Sequence, residues 1–149
     1  MAIETGIFVA NLAATWFMVG LIWFVQVVHY PLFAAVPAGE PFAAYHRQHV
    51  RRTTWVVAPV MFVELITSAA LLLARPAFVS AWVGWAGLAL LAIAWLSTAL
   101  LQVPRHNELA RCYADVSHGA LCRTNWLRTA AWTARGALLA WAAGGMFHA

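Results

Sequence analysis

Residues 7–28 read IFVANLAATWFMVGLIWFVQVV, twenty-two positions without one acidic or basic side chain. A helix advances about 1.5 Å per residue, so roughly 20 apolar residues cross the ~30 Å hydrocarbon core of a bilayer. Three further stretches of this kind follow, over residues 55–73, 81–103 and 126–147. The first continues in apolar residues beyond Pro31, an excess that tilt or a proline kink absorbs. Composition points the same way: 64% of the 149 residues are hydrophobic and 9% are charged, against about 25% charged in a soluble domain. Too few charges remain to furnish a water-facing surface. Nothing rich in Pro, Gly or Ser divides the chain. It reads as all-α, a single transmembrane domain over residues 1–149 folded as a four-helix bundle.

Arginine sets the expected orientation, because the chain has no lysine. Arg47, Arg51 and Arg52 lie between the first two spans and Arg105, Arg111 and Arg123 between the last two, while Arg75 stands alone on the opposite side. Both long connections are therefore expected in the cytoplasm and both termini outside, in the inner (plasma) membrane. The N-terminus has Glu4 and no basic segment, so the first span is expected to stay rather than be cleaved. Trp55, Trp82 and Trp126 near span ends suit an interfacial belt. The net charge of +4 suits anionic lipid at the inner leaflet, and no aromatic-interleaved basic run points to nucleic acid. Cys112 and Cys122 match no zinc or redox spacing and read as reduced structural thiols.

The two halves of the chain echo each other. Arg52-Thr53-Thr54-Trp55 opens the second span and Arg123-Thr124-Asn125-Trp126 the fourth, while Gln26 with His29 is matched by Gln102 with His106. This suggests two parallel repeats, residues 1–75 and 76–149, each a two-span unit with an amphipathic cytoplasmic segment. In that register Glu64 and Arg135 stand nine residues beyond Trp55 and Trp126, at one depth. A lone charge at mid-membrane costs about 2.5–3.5 kcal/mol on insertion scales, so a buried ion pair is expected, with a protonated Glu64 as the alternative.

At about 100° per residue, Asn11, Thr15, Gln26 and His29 form one stripe on the first span. His46, His49, Thr53, Glu64 and Thr67 share a face of the second helix if it starts upstream of Trp55, as do Asn125, Arg128, Thr129, Trp132 and Arg135 on the fourth; the third adds Thr98, Gln102 and His106. Such stripes must turn inward in lipid, where most would serve as interhelical glue. The histidines suggest more. His46 and His49 stand at i, i+3, and His29 and His106 end parallel spans on the same side, so four imidazoles are expected at one depth. With Glu64 or Glu108 as a carboxylate they would suit iron, copper or zinc. A haem held axially by His29 and His106, its propionates near Arg51, Arg52 or Arg128, is a second option. Gln26, Gln102 and Asn125 would orient the ligands from behind. A solvated interfacial helix would explain His46 and His49 equally well, and His118 and His148 lie off the stripes.

The segments VQVVHYPLF at 25–33, YHRQHVRR at 45–52 and RTNWLRTAAWTARG at 123–136 resemble small uncharacterised four-span membrane proteins of bacteria over most of the chain. In size and span count the chain is also faintly similar to anthrone-oxygenase-like membrane proteins, which act on lipophilic polycyclic substrates. The first resemblance implies fold and location, and neither carries a site motif across. Three functions follow in order: a metal- or haem-dependent membrane oxidoreductase or oxygenase acting on a lipophilic small molecule; a non-catalytic accessory or scaffold subunit of a membrane complex; and an ion or proton carrier using Glu64. A homo- or hetero-oligomer fits any of them.

Overall fold

The computed structural model describes residues 2–147, and every regular element among them is helical. Helix α1 (Ala2–Phe24) passes into one π-helical turn over Val25–His29, then a short 3-10 turn over Pro31–Ala35. Pro31 has no N–H to continue the ladder, which is where the regular helix gives way. Helix α2 runs unbroken from Glu40 to Leu73, with Pro41 in its first turn and Pro59 inside it. Gly39 precedes it at φ 91°, a conformation in which a Cβ would be strained. The second half repeats the sequence of events. Helix α3 (Ala81–Ser97) enters a π turn over Thr98–Gln102, then α4 (Val103–Arg111) and the long α5 (Asp115–Ala143).

The four long helices pack as a ring: α1 lies against α2 and α5, and α3 lies against the same two. Helix α4 touches α2 and α5 and closes one end of the bundle. Two apolar clusters form the core. One, at the end closed by α4, holds Met18, Ile22, Phe33, Phe42, Leu109, Leu121 and Trp132. The other, at the opposite end, holds Phe8, Leu71, Val79, Val83 and Leu139.

Polarity is inverted relative to a water-soluble bundle. Asn11, Thr15, Glu64, Gln102, Asn125 and Arg135 are buried, whereas Trp16, Phe17, Phe24, Ile66, Trp85, Leu100 and Trp141 face outward. Three continuous helical stretches, Ala2–Ala35, Glu40–Leu73 and Ala81–Arg111, are long and apolar enough to cross a membrane. Helix α5 is long enough at 29 residues, but Arg128 and Arg135 dilute its apolar stretch.

Candidate functional site

Four imidazoles converge at the end of the bundle closed by α4. A π turn accommodates an extra residue and re-aims whatever follows it. After Val25–His29, His29 is left half-buried and Tyr30 turns fully inside, 3% exposed. His46 and His49, at i, i+3 on α2, face the same interior, and the second π turn followed by α4 brings His106 to them. His29 Nε2 lies 2.7 Å from His49 Nδ1, and His46 Nε2 lies 3.0 Å from His106 Nδ1. The rings of His49 and His106 are 5.6 Å apart, which joins the two pairs into one cluster. Phe33 sits edge-on to His29, His46 and His49, and Phe42 stacks on His46.

Tyr30 links this cluster to a buried cation. Its hydroxyl is 2.9 Å from His106 Nε2 and accepts from Arg128 Nη2 at 3.2 Å. Arg128 also donates to Asn125 Oδ1 from Nε and Nη2, and at 3.4 Å to Thr98 from Nη1. Asn125 in turn donates to Gln26 Oε1 at 2.7 Å.

Two clefts reach the cluster from different sides. The inner one, about 430 Å³, is walled by apolar residues of α1, α2 and α3, among them Met18, Ile22, Val57, Met61 and Phe62. Tyr30, His49, Gln102, His106 and Arg128 line it too. The outer one, about 710 Å³, lies between α1 and α2 and is lined by Phe24, His29, Gln48, His49 and Arg52. Arg52 and Arg128 therefore line different clefts, which does not suit a shared role at the two propionates of one haem.

Glu64 stands elsewhere. It is fifteen residues, about 22 Å along the helix, from His49, so it is not a fifth ligand of the imidazole cluster. Its carboxylate accepts from Thr15 Oγ1 at 2.8 Å and from Trp132 Nε1 at 3.0 Å, with Arg135 Nε 3.5 Å away. Arg135 further donates to Thr15, Asn11, Ser68 and the carbonyl of Gly87. This layer lies between the two apolar clusters and is fully buried.

Several expected roles change accordingly. Gln26 donates to the carbonyl of Cys122 and Gln102 to Thr124 Oγ1, so both glutamines tie the π turns to α5 rather than orienting imidazoles. Asn125 holds Arg128, not a histidine. His106 has both ring nitrogens engaged, which does not fit axial ligation of a haem. Among the described residues, no three His, Cys, Asp or Glu side chains are arranged to hold one metal ion. The shorter of the two His–His contacts is His29 with His49. His118, off every stripe in the sequence, contacts the backbone carbonyl of Tyr30 through Nε2 at 2.8 Å and so fixes that turn. His148 falls outside the described residues. Cys112 and Cys122 are free, and burial pushes the Cys122 thiol above its ordinary range, which keeps it protonated.

Tyr30 is the residue that sequence reasoning misses, since 100° steps from Asn11 select His29 and turn Tyr30 away. The nearest signal was Pro31, which marks a break in the ladder just beyond it. No protein-family model, curated protein or solved structure matches the chain.

Proposed function

We propose that this is a multi-pass membrane enzyme that takes a lipophilic small molecule from the bilayer into the inner cleft and acts on it there as an oxidoreductase or oxygenase. The observation that carries this reading is the cleft itself: apolar walls lead to a polar end made of Tyr30, His49, His106 and Arg128. A site with apolar walls and a few convergent polar groups is the usual form of a small-molecule site. The inverted polarity of the bundle supports insertion of all four long helices, with Arg128 and Arg135 of α5 turned inward. The arginine distribution supports both termini outside. A helix, a π turn, a short helical piece and a long helix recur in the same order, which supports two parallel repeats.

The polar end can handle a proton. A guanidinium only donates, so Tyr30 accepts from Arg128 and keeps its own hydrogen for His106 or for the cleft. When Tyr30 donates to His106 Nε2, neutral His106 donates from Nδ1 to His46 Nε2, and the remaining proton of His46 sits on Nδ1. When the tautomers reverse, His106 donates to Tyr30 and the phenolic hydrogen is free for a molecule in the cleft. Oxidation of a hydroxylated lipophile releases protons, and this chain can take one: Tyr30 accepts it and passes its own hydrogen to His106 Nε2, His106 passes the Nδ1 proton to His46 Nε2, and His46 is left as the imidazolium. An electron acceptor such as iron or copper would have to supply the redox chemistry, and His29 and His49 are the residues we propose would hold it after giving up their mutual hydrogen bond.

Metal analysis and an absorption spectrum of protein purified without chelator test the redox reading. The expected result is near-stoichiometric metal that falls in His29→Ala and His49→Ala. Protein free of metal and haem, which also takes up no added iron, copper, zinc or haem, would remove it. The accessory-subunit reading would then lead, favoured by the fully paired Glu64–Arg135 layer, whose effect is to fix helix register.

A further inference from the structure

Most polar groups lining the inner cleft are already committed. Arg128 spends four of its five N–H donors on Asn125, Tyr30 and Thr98. Thr98 gives its hydroxyl hydrogen to the carbonyl of Ala94. Two residues that line the cleft stand apart: Trp95 and Gln102 each hold one buried atom, Nε1 and Oε1, without a hydrogen-bond partner among the described residues.

The orientation of the Gln102 amide is fixed by its neighbour. Thr124 Oγ1 donates its hydrogen to the carbonyl of Ala120, so it can only accept from Gln102, and the NH2 group must face it at 3.0 Å. Gln102 Oε1 is therefore an acceptor, held at a residue 1% exposed, with nothing donating to it. Trp95 Nε1 is a donor only. A buried polar group left without a partner costs about 1–3 kcal/mol, and two of them belong to residues that line one apolar cleft. They stand seven residues apart on one continuous helical run, about 10 Å along its axis, so they address two different points of a bound molecule.

We propose that the inner cleft selects an elongated neutral lipophile with a hydroxyl at the histidine end, donating to Gln102 Oε1, and an acceptor oxygen, carbonyl or ether, further along, accepting from Trp95 Nε1. This rests on the reading of the cleft as a lipophile site, and it is independent of any metal. A carboxylate head fits poorly, because it has no hydrogen to give Gln102 and would place its charge against that carbonyl oxygen. A pure hydrocarbon leaves both groups stranded.

The test uses the full chain in lipid nanodiscs, treated with chelator, and three flat probes of one shape: 6-hydroxy-2-acetylnaphthalene, its methyl ether, and 2-naphthol, which keeps the hydroxyl and lacks the carbonyl. Binding is read by quenching of tryptophan fluorescence. The hydroxy-ketone is expected to bind about tenfold more tightly than either relative, the size of one hydrogen bond to an otherwise unpaired buried group. Gln102→Met is expected to erase the preference over the methyl ether and to keep the preference over naphthol. Trp95→Phe is expected to do the reverse. Equal binding of the hydroxy-ketone and its methyl ether by the wild-type chain, or an unchanged preference in Gln102→Met, would overturn the assignment while leaving the cleft as a lipophile site. Saturable binding of none of the probes overturns both. Loss of the redox reading alone leaves this assignment standing.

Discussion

The molecule contains two buried polar regions, each built around a buried arginine, and they differ in how completely they are paired. In the middle layer, Glu64 and Arg135 are surrounded by Asn11, Thr15, Ser68, Trp132 and the Gly87 carbonyl, and each of these groups has a partner there. On the histidine side of that layer, His46 Nδ1, Gln102 Oε1, Ser97 Oγ and Trp95 Nε1 have none among the described residues, and a cleft lies alongside. A low-dielectric interior penalises unpaired polar groups most, so a network closed on itself specifies a structure, whereas one with open positions specifies a ligand. By this comparison we assign the middle layer to holding the fold and propose the histidine end as the functional site.

The largest effects should follow from breaking the closed layer. Replacing Glu64 by leucine strands Arg135 in the core, and loss of one member of a buried pair costs about 3–5 kcal/mol. Replacing both with leucine should cost clearly less than the sum of the single losses. A double-mutant cycle on thermal unfolding in detergent measures the difference, and simple additivity would deny that the layer acts as one unit.

A smaller loss tests the same layer through its backbone. A Cβ on Gly87 would meet Arg135 Nη1 at 3.1 Å, the nitrogen that donates to the Gly87 carbonyl. Gly87→Ala should therefore cost about 1–3 kcal/mol by overpacking. Gly20 has nothing within 4 Å of its would-be Cβ, so Gly20→Ala should leave stability unchanged or raise it by up to ~1 kcal/mol through helix propensity. Equal effects at the two positions would mean that the guanidinium is not held tightly against α3.

Acid should act at the other end. Each His–His contact needs one nitrogen lone pair, so both pairs require at least one neutral ring. Their contribution is present above the ordinary histidine range, near pH 6.5, and is lost as pH falls through and below it. Burial makes protonation harder still, and charge on neighbouring imidazoles, with Arg128 beside His106, adds to it for His49 and His106. The loss should be about 1 kcal/mol per contact, two contacts in all. His49→Gln removes one pair and should flatten the pH profile, whereas Gly87→Ala should lower it without changing its shape. An unchanged profile in His49→Gln would place the titration outside the cluster.

What the sequence made legible in this comparison followed from regular spacing. Uncharged runs marked α1 and α3, the i, i+3 pair marked a histidine face on α2, and a repeat register put Glu64 and Arg135 at one depth. What it concealed followed from departures from regularity. Two π turns shift the helical phase, and this is how Tyr30 comes inside and why His29 is only half-buried. Side-chain reach across the bundle was equally hidden: nothing in the spacing of Gln26 and Gln102 shows that they grip α5, nor that His118 touches the Tyr30 carbonyl. Fixed steps of 100° assume an ideal helix, and this site is built where the helices stop being ideal.

The smallest expected effect is also the sharpest contrast, because it compares the glutamines of the two π turns. Gln26 is fully used: its NH2 donates to the Cys122 carbonyl at 3.2 Å and its oxygen accepts from Asn125 at 2.7 Å, and Asn125 in turn supports Arg128. Gln26→Met removes both bonds and leaves Asn125 with an unpaired buried donor, a loss of about 2–3 kcal/mol. Gln102 makes one bond, to Thr124, and buries an acceptor that nothing satisfies. Gln102→Met loses that bond, worth about 1 kcal/mol, but also removes the desolvated oxygen, and replacing a half-paired polar group by an apolar one of similar shape is close to neutral. Its stability should therefore stay within about 1 kcal/mol of the parent chain. Thermal unfolding of the two variants, measured side by side in the same detergent, decides the matter. If Gln102→Met were as costly as Gln26→Met, Gln102 would be holding the fold together, and the division between a closed structural layer and an open ligand site would have to be drawn elsewhere.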